Sequence, residues 1–422
     1  SERMIQRTTK ISCPRFFFKG LQKRFKRPQN LRIRVERVWA QDFVATVQKP
    51  FVWCHPENLM ATLPFGATMF TPLESGLGGI MIGTAAAMSY LIDGRITGIS
   101  GIMGPFFRGV MKCEALKDGQ LWKLLFLIGL ILGGLVDVAF NWNFSFPPAP
   151  PMHVVRYLLA GVAVGIGTRV GKGCTSGHGI CGLPRFSTRS WISVPTFMAV
   201  AAGTIALTRH AFKWDGSGYS PRVAELQWPP QWEFPVGAFC GSLCLIALSV
   251  LLPDRFKIFV SPLSSGLIFA FGLGASGMTN PMKVMNFLDF GGYWDPSLAF
   301  VMGCGICVSG PAFILKEQLG KVSEPLCQGC KFESPPKTGN YVPLLIGSSF
   351  FGLGWGLIGL CPGPALVAII PKLVTGIWTS WQPDFALSAA ALVICVAWLV
   401  TDRLILHFSA RQVTQTPKAI GP

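Results

Sequence analysis

Nine apolar stretches, set apart by polar connections, limit most strongly what this chain can fold into. They are Leu77–Ile92, Leu121–Phe140, Tyr157–Val170, Ser190–Thr208, Val236–Leu252, Leu263–Gly277, Ser297–Leu315, Tyr341–Leu360 and Phe385–Val400. A helix crosses the roughly 30 Å apolar core of a bilayer with about 20 such residues, or about 17 at the short end. The pattern therefore predicts an all-α polytopic membrane protein of about nine transmembrane helices, its shorter spans held inside the bundle. Composition agrees: only 14% of the 422 residues are charged and the mean hydropathy is +0.46, whereas soluble domains carry about 25% charged residues. An odd number of spans puts the two termini on opposite sides.

Charge collects at the start. The first 50 residues hold 13 Lys and Arg against Glu2, Glu36 and Asp42. Residues 1–70 thus form a basic extension, read either as an Arg-rich, acid-poor transit segment or as a cytoplasmic or matrix-facing tail. No cleavable secretory signal is expected. The positive-inside rule accounts for this charge better than nucleic-acid binding does, and it suits the plasma membrane or an organellar inner membrane such as the mitochondrial one. The rest divides into an N-terminal half (71–232), a C-terminal half (233–405) and a polar tail (406–422). Of 13 cysteines, Cys240, Cys244, Cys304, Cys307 and Cys395 lie within apolar spans, where cysteine behaves as a small hydrophobe. Cys327 and Cys330 form a CxxC in a polar loop, able to bind metal or act as a redox pair, with no second pair beside it.

Four interrupted pieces, following Gly94, Gly171, Gly277 and Gly359, are too broken to be full spans. Each opens with Gly, Pro, Ser or Asn and then turns helix-like, as re-entrant half-helices do. They are internal repeats: Ile96–Ile102 aligns with Cys174–Ile180, and Met278–Val284 with Cys361–Val367. Broken helices in repeats, converging on a midplane site, are a common transporter design. The plainer reading is that the glycines serve helix packing, but that leaves the recurrence in register, with cysteine at two of four breaks, unexplained.

The richest break is Gly171-Lys-Gly-Cys-Thr-Ser-Gly-His-Gly-Ile-Cys181. Polar backbone at membrane depth survives only when buried in protein or lining a cavity. Half-helix N-termini carry unpaired N–H groups and a positive dipole end, which together attract anions. Thr175, Ser176 and His178 add donors, Gly177 permits close approach, and Asn280 can face the pore. The Cys174 and Cys361 thiols are soft, weak donors suited to an anion with a terminal sulfur. Lys172, Arg169, Arg185 and Arg189 flank the break as interfacial anchors that draw anions to its mouth. Asp289 and Asp295 read as loop or cap residues. Two other chemistries fit the spacing. Cys174 and His178 at i, i+4 could form a thiolate–imidazole pair, although no acid lies near to orient the histidine. Cys174, His178 and Cys181 could hold a metal, but without an evident fourth ligand. The residues present call for no cofactor.

At these motifs the chain resembles the YeeE/YedE membrane proteins, known for bacterial thiosulfate uptake. The N-terminal half carries Gly94-Arg95-Ile-Thr-Gly-Ile-Ser-Gly101, Gly167-Thr-Arg169 and Gly171-Lys-Gly-Cys-Thr-Ser-Gly-His-Gly179. The C-terminal half resembles a companion unit, often a separate bacterial protein, through Ser276-Gly-Met-Thr-Asn-Pro281, Phe287-Leu-Asp289, Trp294-Asp-Pro-Ser-Leu-Ala-Phe300 and Gly359-Leu-Cys-Pro-Gly-Pro364. The resemblance implies an hourglass-shaped bundle, two halves fused in one chain, and thiosulfate passed along cysteine thiols by S–H···S contacts, with Cys174 and Cys361 matching the motif cysteines. It implies no enzymatic step, and it leaves room for a soluble sulfurtransferase as acceptor beside the surrounding lipid. A further path cysteine of that family has no match here. Ile96 and Met278 stand at the equivalent breaks, with Cys181 or Cys304 as substitutes. The alternative from another class is a membrane sulfur-transfer or thiol-redox protein that forms a persulfide on Cys174 and reduces it with the CxxC pair.

Overall fold

The computed structural model describes residues 68–111, 120–139, 152–213, 222–226, 233–327, 329–379 and 382–415. The basic extension before Thr68 and the last residues of the polar tail lie outside them.

Twelve α-helices account for nearly all of the described chain. In order they are α1 (Pro72–Asp93), α2 (Ile99–Met111), α3 (Leu121–Ala139) and α4 (Val154–Gly171), then a π-helical turn (Thr175–Gly182) and α5 (Thr188–Ile205). The second half holds α6 (Glu233–Leu251), α7 (Asp254–Ala275), α8 (Pro281–Leu288), α9 (Ser297–Glu317), α10 (Tyr341–Ile358), α11 (Pro362–Thr379) and α12 (Gln382–Gln415). A two-residue parallel pair, Arg222–Val223 with Tyr293–Trp294, ties the halves at one end. Eight described helices are long and apolar enough to cross a membrane. They coincide with all the expected spans but the second, and the 19-residue apolar helix α3 lies at that one.

The element order resolves into four units of long helix, break, short helix and long helix, with α6 left over as the link. Glycines set the pairing, because a bare backbone lets helices approach closely when no hydrophobic effect drives them together. Helices α1 and α9 run parallel, Gly79 against Val301 and Gly83 against Gly305. Helices α3 and α7 also run parallel, Gly129 against Gly266 and Gly133 against Ala270. The same holds for α4 with α12, through Gly161 and Gly165, and for α5 with α10, through Gly352 and Gly356. The first helices of the units pair antiparallel: α1 crosses α7 with Gly78 on Gly272, and α4 crosses α10 with Gly171 on Gly347. Each half therefore lends its long helices to the other. The boundary near residue 232, drawn from sequence as a division between halves, does not separate two packed bodies.

Ionic clusters close both ends, buried at one and partly exposed at the other. At the end where α1 begins (the near end), Lys283 donates to Thr71 Oγ1 and the Met69 carbonyl, both at 2.8 Å, and lies 3.3 Å from Asp295. There Arg209 is 3.0 Å from Asp289 and donates to Asn286 at 2.8 Å. Asp289 and Asp295 are the cap residues expected, at the end of α8 and the start of α9, and both are also buried partners of these two cations. At the opposite, far end Glu317 holds Arg185 and Lys337, Asp402 holds Arg169 and Arg108, and Glu333 holds Arg95. The CxxC loop packs at this far end, where Cys327 N–H donates to the Ile92 carbonyl at 2.9 Å.

A Cβ at Gly347 would fall 2.1 Å from the Gly171 nitrogen, while one at Gly203 or Gly241 meets nothing within 4 Å. Gly347→Val is therefore expected to lower stability by about 1–3 kcal/mol, as overpacking typically does, and Gly203→Ala to leave it unchanged. Thermal unfolding of the two variants in detergent checks this, and equal midpoints would sink it.

A cavity where four breaks meet

Each long first helix ends in a left-handed residue that turns the chain back. Gly94 (φ 71°) and Gly359 (φ 67°) cap α1 and α10, and Gly277 (φ 70°) follows α7. At the second break the residue in that conformation is Lys172 (φ 58°), one place beyond the expected Gly171. A lysine there gives up about 1–2 kcal/mol that glycine would not, and its side chain projects outward at the far end.

The returning helices start deep in the bundle. Their first i→i+4 bonds run to the carbonyls of Gly98, Cys174, Asn280 and Cys361, at 3.0, 2.9, 3.4 and 3.0 Å. These four residues are therefore structurally equivalent. The sequence alignment, which set Ile96 against Cys174 and Met278 against Cys361, is two residues out of register with the helix starts in both repeats. Small residues recur through each break, so composition alone does not fix the register. The short helices α2 and the π turn run back toward the far end, where Arg108 meets Asp402 and Arg185 meets Glu317. Helices α8 and α11 run back toward the near end, to Asp289 and to the Lys372–Asp384 pair at 3.2 Å. Two pieces thus enter from each end and leave by the same end.

Their tips touch. A Cβ on Gly98 would come 3.3 Å from Gly177 Cα, one on Gly359 would come 2.2 Å from the Pro281 carbonyl, and Gly363 lies against Ile99. Thr175 Oγ1 donates to Cys361 Sγ at 3.7 Å, joining the second break to the fourth. Ser176 Oγ accepts from Ile99 N–H at 3.2 Å and lies 3.3 Å from Cys174 Sγ, joining the second to the first.

Between the tips is a small cavity of about 20 Å³. Cys174, Thr175, Ser176, Met278 and Cys361 line it, with Ile82, Ile99, Ile180, Phe269, Leu273, Val301, Met302, Gly363 and Pro364. No lining residue carries a charge. The wall is thus apolar, with two thiols, two thioethers and two hydroxyls. Ile82, Phe269, Leu273, Val301 and Met302 escaped sequence reading because they look like ordinary membrane core; Ile99, Ile180, Gly363 and Pro364 stood within recognised motifs but were not singled out.

The other expected site residues sit just outside. Gly177 packs on Gly98. Asn280 Oδ1 caps α8 by accepting from Met282 N–H at 3.0 Å. Ile96 lies toward the far end, its N–H donating to Glu333 at 3.4 Å. Cys181 is buried 3.7 Å from Thr97 Oγ1, and Cys304 faces Gly76 on α1. His178 turns away from Cys174: Nδ1 pairs with Ser190 Oγ at 3.1 Å and Nε2 with the Gly171 carbonyl at 3.4 Å. A thiolate–imidazole pair is therefore not built, and Cys174, His178 and Cys181 do not converge as a ligand set. His178 staples the π turn to α4 and α5. Removing it orphans two buried groups, so His178→Ala is expected to cost about 1–3 kcal/mol per group left unsatisfied. Thermal unfolding reads this loss; an unchanged midpoint with altered ion selectivity would show instead that the imidazole serves the path.

Sequence comparison places the chain among transporters. A family described as "Sulphur transport" matches residues 43–206, and a "Family of unknown function" matches residues 257–403. A protein named "Probable transporter" from Xylella fastidiosa strain 9a5c is 43% identical over 112 residues, which are 26% of this chain and 74% of the relative. Another "Probable transporter", from strain Temecula1, is 39% identical over 129 residues, 30% of this chain and 88% of the relative.

Proposed function

The chain belongs to the YeeE/YedE-like sulphur-transport family, multi-pass membrane transporters rather than enzymes, and within it we propose passage of thiosulfate or a close relative through the four-break cavity. The observation that carries this reading is the junction of Cys174, Thr175 and Cys361 at the tips of half-helices from opposite ends. Helix N-termini at Ile99, Thr175 and Pro362 supply positive potential without a fixed cation. An anion therefore meets attraction but no ion pair to hold it, as conduction requires. The thiols favour the end of the ion that bears sulfur. A thiosulfate sulfur accepts S–H from Cys361 on one side and from Cys174 on the other, and Met278 and Met302 add polarizable surface. Sulfate presents only hard oxygens to the same wall. Surrounding lipid and, on the receiving side, a soluble sulfurtransferase complete this reading.

The sulfur-transfer alternative has less support. It needs an activated Cys174 and access to the CxxC pair. His178 is engaged elsewhere, and the CxxC loop packs against the end of α1 at the far end. Burial, together with the hydrogen bond to Cys330, pushes the Cys327 thiol up to about 12, so little thiolate forms at neutral pH.

Cys361→Ala and Cys174→Ala are each expected to slow uptake of sulfur-labelled thiosulfate into proteoliposomes about ten-fold, or about 1.4 kcal/mol in barrier. Excess sulfate should not compete. Full-rate uptake by both variants at normal expression would end the thiol relay. A covalent sulfur adduct on Cys174 by mass spectrometry would favour sulfur transfer instead.

A further inference from the structure

Among the described residues, the carboxyl group of Asp137 takes no part in the ion pairs at either end. Asp137 is 0% exposed, on α3, and neither carboxylate oxygen has a hydrogen-bond partner. Its helix is otherwise Leu, Ile, Val and Gly over several turns. A lone carboxylate in such surroundings costs far more than the neutral acid, so the group keeps its proton. Even the neutral acid leaves a donor and acceptors unmet, where an alanine or leucine would pack without loss.

Its position is telling. Gly133 meets Ala270, so Asp137, one turn on, is level with Gly274, next to the cavity residue Leu273. On the other side Gly134 abuts the Val367 carbonyl of α11. That carbonyl lacks its helical donor because residue 371 is proline. The half-helix that begins at Cys361 is thus weakened one turn from Asp137. The charged groups on the neighbouring elements are occupied or distant. Lys372 of α11 is paired with Asp384. Asp254, Arg255 and Lys257 of α7, Arg108 of α2 and Lys123 of α3 belong to the far end, and Asp254 pairs with Lys257 while Arg108 pairs with Asp402.

We propose that Asp137 is the proton-carrying group of this transporter, coupling anion passage to protons. The carboxyl is neutral while the cavity is closed. When α11 shifts at Pro371 and water reaches α3, the acid releases H⁺ to that water and becomes a carboxylate, and it must take a proton back before the wall can close. No bond to the anion forms or breaks. Each proton carried with a doubly charged anion removes one unit of the charge that has to cross. The proposal rests on the anion-transport reading above.

Two measurements test it. Infrared difference spectroscopy of wild type against Asp137→Asn at neutral pH, which needs no transport, should show a protonated-carboxyl band lost in the variant. Absence of that band overturns the proposal. In proteoliposomes, an inward gradient of about one pH unit should raise wild-type thiosulfate accumulation up to about ten-fold for one coupled proton. Asp137→Asn should lose that response while still exchanging labelled for unlabelled anion, and Asp137→Glu should retain it. A gradient response that survives in Asp137→Asn, or is absent from wild type that does take up thiosulfate, overturns the coupling and leaves transport standing. If wild type takes up no thiosulfate, the transport reading fails and the infrared band alone decides whether Asp137 holds its proton.

Discussion

Backbone that leaves the helix within a bilayer must find partners inside the protein, and this requirement organises the whole molecule. Four breaks at membrane depth would each be ruinous alone. Brought tip to tip, they satisfy one another: Ser176 accepts from the backbone of the first break, Thr175 donates to the cysteine of the fourth, and the glycines at 98, 177 and 359 allow the approach. The cavity is what remains where four helix ends meet and cannot fill the space between them.

The same geometry explains the absence of a fixed cation. A buried lysine or arginine would bind an anion tightly and release it slowly. Helix termini spread the positive potential over several N–H groups, and thiols add weak contacts that favour sulfur. Fixed charge is kept for the ends of the bundle, where Lys283–Asp295, Arg209–Asp289 and Arg185–Glu317 are paired and hold loops in place. Breaking one such buried pair typically costs about 3–5 kcal/mol, which shows how firmly each end is fixed around a loosely bonded centre.

Much of this was legible beforehand. Span positions follow from apolar length, and the breaks announce themselves because glycine, proline and hydroxyl residues cluster where apolar residues should continue. Cys174 and Cys361 could be singled out because each stands at a break. What stayed hidden depends on distance in three dimensions. The two-residue offset of Ile96 and Met278 from the helix starts is set by which carbonyl accepts the first bond, not by residue type. The role of His178 depends on Ser190, which lies on the next helix. Ile82, Phe269 and Val301 resemble every other buried apolar residue until four tips are brought around them. Asp137 lies inside the apolar stretch Leu121–Phe140, and its lack of a partner shows only once the helices are packed.

The reciprocal pairing of long helices has a consequence for how the protein is made. Helix α1 reaches the membrane with glycines at 78, 79 and 83 bared for α7 and α9, which are still unsynthesised. Helix α4 waits in the same way for α10 and α12. The first half must therefore sit in the lipid as a loose set of helices, its breaks unsealed, until the second half arrives to lock it. Joining both halves in one polypeptide makes that arrival certain and gives every first half one partner of its own.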